Sequence, residues 1–138
     1  MNHNINWSKT KKKVELIIKK YVYFCLSVDN KSTSEISNEF VLEMLKLGNQ
    51  DLNNVYIPMS EEERVERTEF INYFRISFNR LTTEERKIIY WTYLDKEHSY
   101  DDTYIANNLG FSLGYYYIRK KETLIRFAYA LGAEISIE

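Results

Sequence analysis

A chain of 138 residues suits one compact domain, or a helical lobe attached to one, and cores of this size fold without staples. Its single cysteine, Cys25, excludes an internal disulfide, and His3 and His98 are too few to complete a structural zinc set, so a reducing compartment is expected. The net charge of -1 lacks the basic signature of many nucleic-acid binders, and no apolar run has the length of a signal peptide or a membrane span, so a cytoplasmic protein with no membrane partner is expected.

One proline and four glycines favour helices, whereas twelve tyrosines and many β-branched residues would also suit strands. Periodicity decides between them. From Lys9 to about Val28, Val14, Ile17, Ile18, Tyr21, Val22 and Cys25 recur at helical spacing and leave the lysines on the other face. Ile36, Phe40, Val41, Met44 and Leu45 then suggest a short helix closed by Gly48, and Gly48 to Pro58 reads as a linker.

Three helix starts follow with one chemistry: a hydroxyl at the N-cap and a carboxylate three positions later, in Ser60 with Glu63, Thr82 with Glu85, and Ser99 with Asp102. The first predicts a helix to about Arg80, with Val65, Phe70, Tyr73, Phe74, Ile76 and Phe78 on its apolar side. The second, from Glu84 to about Asp95, presents Ile88, Ile89, Trp91, Tyr93 and Leu94, more than one face can show to water, and so predicts a central, largely buried helix.

The third start opens a short helix from Asp102 to Leu109, in which Ile105, Ala106 and Leu109 point inward. Gly110 suits the left-handed conformation that stops a helix, Phe111 plugs the corner, and Ser112 caps a last helix from Leu113 to about Leu131. This is the helix-turn-helix pattern, and it calls for a small residue such as Ala106 where the two helices cross. Tyr116, the stem of Lys120, Thr123, Leu124, Phe127 and Leu131 form the buried stripe of the last helix. The residues placed to meet double-stranded DNA are Ser112, Leu113, Gly114, Tyr115, Tyr117, Ile118, Arg119, Lys120 and Lys121, near the end that a recognition helix inserts into the major groove. Arg119 suits a guanine edge or a phosphate, and Lys120 and Lys121 suit the backbone.

Leu81-Thr82-Thr83-Glu84-Glu85-Arg86, Tyr93-Leu94, Tyr104-Ile105-Ala106, Leu109-Gly110-Phe111-Ser112 and Tyr115-Tyr116-Tyr117 resemble region 4 of bacterial sigma factors. The chain is closer to the ArpU-type phage regulators of late transcription, which are similar in length, begin with a helix carrying basic residues, and end in a run like Leu124-Ile125-Arg126-Phe127-Ala128. The resemblance implies an all-α helical bundle with a C-terminal sigma region 4-like helix-turn-helix, acting on late promoters with host RNA polymerase. Residues 1–58 would form an N-terminal helical segment and linker, and residues 59–138 the DNA-binding domain. Sigma recognition helices are usually more polar than Tyr115 to Ile118, so base preference does not transfer.

Exposed tyrosines also mark protein interfaces, which leaves a homodimer open. Two other functions stay open: a small DNA-packaging (terminase small) subunit, and a module that binds polymerase or an anti-sigma partner without touching DNA. No nucleophile is paired with a histidine base, and neither a phosphate-cradling loop nor metal-ligand spacing occurs, so neither an enzyme nor a cofactor is expected.

Overall fold

The computed structural model describes residues 4–28, 59–95 and 97–137. The short helix expected around Ile36 to Leu45 and the linker to Pro58 lie outside the described residues. Among those described the protein is all-α. Its elements are α1 (Trp7–Ser27), α2 (Glu61–Asn79), α3 (Thr83–Ile89) with a π-helical turn (Tyr90–Leu94), α4 (Asp102–Leu109) and α5 (Leu113–Leu131).

The first helix begins two residues before the expected Lys9, because Asn6 supplies the cap: its Oδ1 accepts from the Lys9 amide at 3.1 Å. It buries Thr10, Val14 and Ile18. Thr10 is a buried hydroxyl with both capacities met, donating to the Ile135 carbonyl at 3.3 Å and accepting from the Ile135 amide at 3.0 Å. The Asn6 amide also donates to the Ile135 carbonyl at 2.7 Å, so the start of α1 is tied to the tail that follows α5.

In α2 the capping box of Ser60 and Glu63 forms as the sequence predicts. The apolar side does not match. Ile71, Phe74 and Ser77 are buried, Phe70 and Phe78 are half-buried, and Val65, Tyr73 and Ile76 are exposed. The stripe that meets α1 and α5 is narrower than the run of apolar residues. Ser77 belongs to it because it is small and its hydroxyl donates to the Ala130 carbonyl at 3.1 Å, which satisfies a polar group inside the contact. Phe74 is stacked on Tyr21 of α1 at 3.9 Å and meets Phe127 of α5 edge-on at 5.4 Å. Val14, Ile18, Phe74, Leu124, Phe127 and Leu131 thus join α1, α2 and α5 in one core.

The capping box of Thr82 and Glu85 also forms, but the helix it opens is buried only in its first half. Ile88 and Ile89 are fully buried, Trp91, Tyr93 and Leu94 are half-buried, and Tyr90 is exposed. The backbone widens at Tyr90, where the Asp95 amide donates to the Tyr90 carbonyl at 2.8 Å, five residues back. Past Ile89 the side chains divide between two buried clusters: Trp91 packs on the one that holds Ile88 and Ile105, and Tyr93 and Leu94 on the one that holds Ile89 and Phe127.

At α4 the cap is Asp101 and not Ser99: its Oδ1 accepts from the Tyr104 amide at 2.8 Å. Aspartate caps as well as serine, and starting there places Asp102 inside the first turn, where it favours the positive end of the helix dipole. Asp101→Ala should therefore destabilise the protein by about 1 kcal/mol, whereas Ser99→Ala should stay within about 0.5 kcal/mol. Urea titrations of both variants check this, and equal losses would return the cap to Ser99.

Candidate nucleic-acid interface

Three residues separate α4 from α5. Gly110 ends α4 at φ 75 and ψ 27, a left-handed conformation that costs glycine little. The Gly110 amide donates to the Asn107 carbonyl at 3.1 Å and the Phe111 amide to the Ala106 carbonyl at 2.9 Å, which satisfies the last carbonyls of the helix. Ser112 then caps α5, its Oγ accepting from the Tyr115 amide at 3.2 Å. Phe111, half-buried, packs beside Ile88, Ile105, Ala106 and Tyr116, a second core that fixes α4 against α5. Ala106 is 2% exposed, and Tyr116 is fully buried. Burial pushes the Tyr116 phenol up to about 12, with the nearby Asp102 carboxylate adding to the shift, so the ring stays neutral.

The predicted buried stripe of α5 is present and wider than expected. Tyr116, Thr123, Leu124, Phe127 and Leu131 are buried, and so are Ile125 and Ala128. Lys120 is half-buried. The helix consequently has two halves. Its last two turns are sunk between α1 and α2, while its first two turns stand out, held from below by Tyr116.

Ser112, Leu113, Gly114, Tyr115, Tyr117, Ile118 and Lys121 are all exposed. Tyr117 and Ile118 keep 50% and 58% of their surface in solvent, and these apolar groups give the face its chemistry. The other two predicted contacts are engaged within the protein. Arg119 is half-buried and pairs with Glu84 at 3.0 Å and Glu122 at 2.7 Å, with the buried Glu85 at 3.8 Å. Burial disfavours its charge, but the hydrogen bonds it donates to Glu122 and Glu84 outweigh this and hold the guanidinium above its ordinary range. Lys120 pairs with Asp102 at 3.1 Å, bridging α5 to the first turn of α4. The Glu122 contact was visible in the sequence as an i, i+3 pair; Glu84 is 35 residues away and left no local signal.

Lys121 has a neighbour that the sequence did not reveal, the Trp7 ring of α1, with Nζ 5.2 Å from its centroid. Elsewhere, His98 stacks on Tyr100 and approaches Asp95 at 3.4 Å, and Cys25 is half-buried in α1. No described helix is long and apolar enough to cross a membrane. No protein-family profile, curated protein or solved structure matches the chain.

Proposed function

We propose that the protein is a sequence-specific DNA-binding transcription regulator of the sigma-like, phage late-gene type, acting with host RNA polymerase. The observation that carries the reading is the division of α5: an exposed N-terminal half mounted on a buried C-terminal half and braced by α4 across a three-residue turn. An α-helix about 10–12 Å across fits a major groove about 12 Å wide, and a recognition helix leads with its N-terminal residues. Leu113 and Ile118 offer apolar contact to thymine methyl groups, the Tyr115 and Tyr117 hydroxyls offer hydrogen bonds to bases or phosphates, and Lys121 offers charge to the backbone. Arg119 and Lys120 serve a different end in this reading. Their ion pairs set the angle of α5 against α3 and α4, so they position the reading face.

Selection from a duplex pool with a randomised centre tests the proposal. The protein should enrich a common sequence, with single base changes costing about 1–3 kcal/mol in follow-up titrations. Binding without enrichment would reduce the function to charge-driven packaging or coating, and absence of binding would remove DNA as the partner.

The apolar character of the exposed face, together with the pairing of Arg119 and Lys120, favours one second reading: a module whose α5 docks on RNA polymerase or an anti-sigma partner without touching DNA. Co-migration with purified polymerase in the absence of any duplex, combined with failure to bind DNA, would move that reading ahead.

A further inference from the structure

We infer that Lys11 and Lys12 of α1 join Lys121 of α5 in a basic shoulder that grips the phosphate backbone beside the groove occupied by α5; this rests on the DNA-binding reading of α5.

The face of α5 that carries Gly114, Tyr117, Ile118 and Lys121 continues, by steps of three and four residues, into Ile125 and Ala128. Ile125 and Ala128 are 8% and 0% exposed, in a part of α5 that packs on α1, whereas Tyr117 and Ile118 lie open. Lys121 sits at the boundary, against Trp7 in the first turn of α1. The start of α1 therefore flanks the open half of α5. The major groove is about 8.5 Å deep, and the eight residues from Leu113 to Lys121 rise about 12 Å, so a helix that enters the groove by its Leu113 end leaves Lys121 at the groove's rim, beside the phosphates. Whatever lies beside Lys121 on α1 is then at phosphate level too.

Two groups of lysines on α1 are sorted by what their neighbours touch. Trp7, Lys11 and Glu15 follow one another at four-residue steps along one side of the helix. Trp7 lies under Lys121, and Glu15 accepts from the Tyr93 hydroxyl at 2.8 Å, so Lys11, half-buried between them, borders α5 and the π-helical turn. Lys12, the next residue along, is exposed and faces solvent between this side and the one that carries Lys9. Lys9, Lys13 and Lys20 share a different side, and Lys20 lies over the Phe70 ring of α2 at 4.6 Å, which turns this group toward α2 and away from α5. Among the described residues, none of Lys9, Lys11, Lys12 and Lys13 forms an ion pair, so charge pairing does not distinguish the two groups. Position does. The one carboxylate on the α5 side of this stretch, Glu15, is occupied by Tyr93.

The test compares two double variants that remove the same charge from the same helix, Lys11→Ala/Lys12→Ala and Lys9→Ala/Lys13→Ala. Fluorescence anisotropy of a labelled duplex from the randomised pool is read across a salt series, with circular dichroism melting to show that both fold like the parent. Losing Lys11 and Lys12 should lower the slope of log affinity against log salt by about two, as expected for two phosphate contacts. Losing Lys9 and Lys13 should leave the slope at the parent value. If the parent binds DNA and the two variants behave alike, the shoulder is wrong while the reading of α5 stands. If the parent binds no DNA, both fall together.

Discussion

Phe127→Ala should destabilise the protein by about 3–5 kcal/mol, the range for removing a fully buried aromatic ring from a core that closes incompletely. The ring is fully buried and meets Phe74 edge-on at 5.4 Å and Phe78 edge-on at 6.1 Å. It belongs to the one cluster in which α1, α2 and α5 all take part, so the cavity opens where three helices meet and none can close it alone. Against a total stability of about 5–15 kcal/mol for a domain of ordinary size, the loss is large enough to leave a substantial unfolded fraction at physiological temperature. Urea titration should show a lower midpoint with an unchanged slope. A loss below about 1 kcal/mol would mean that Phe127 is not at the junction of the three helices.

Ala106→Trp should separate α4 from α5. Ala106 is 2% exposed among Ile88, Ile105 and Tyr116, with no solvent side into which an indole can turn. Overpacking of this kind costs about 1–3 kcal/mol and often more, because neighbours leave their rotamers or the backbone shifts. The damage falls on the second core, so the cluster around Phe127 should survive, and much of the helicity with it. DNA binding should be lost beyond what the melting temperature explains, since α4 no longer sets the angle of α5. Ala106→Ser, nearly the same size, should preserve both. An Ala106→Trp protein with parental melting temperature and affinity would show that the crossing is not tight.

Signals that act within one helical turn were legible in the sequence. The capping boxes at Ser60 and Thr82, the stop at Gly110 and the cap at Ser112 each depend on residues three or four apart, and each forms. Where two caps competed, the pattern of hydroxyl and carboxylate favoured Ser99, although Asp101 satisfied the Tyr104 amide by itself. Burial was harder to read. Tyr73 and Ile76 fit the helical period of α2 as well as Ile71 does, and only the positions of α1 and α5 decide which of them is covered. Ala128 is hidden for the same reason, in one cluster with Val14 and Ile18 of a helix about a hundred residues earlier in the chain. The π-helical turn after Ile89 has no sequence pattern that periodicity detects. At the candidate interface, the exposed residues were legible as a helix face, while the engagement of Arg119 by Glu84 and of Lys121 by Trp7 required the tertiary structure.

The first turns of α5 are tested most directly by anisotropy of a labelled duplex titrated with the parent and with Tyr117→Ala/Ile118→Ala, at about 50 and 200 mM salt. Tyr117 and Ile118 keep half or more of their surface in solvent, at 50% and 58%, so the double variant should melt like the parent. The parent should bind, and bind more weakly at the higher salt. The variant should lose about tenfold or more at both salt concentrations, as expected for groove contacts worth upward of 1.4 kcal/mol in total. Parental affinity in the variant, or a parent that shows no salt-dependent binding to any duplex, would contradict the assignment of this face to DNA.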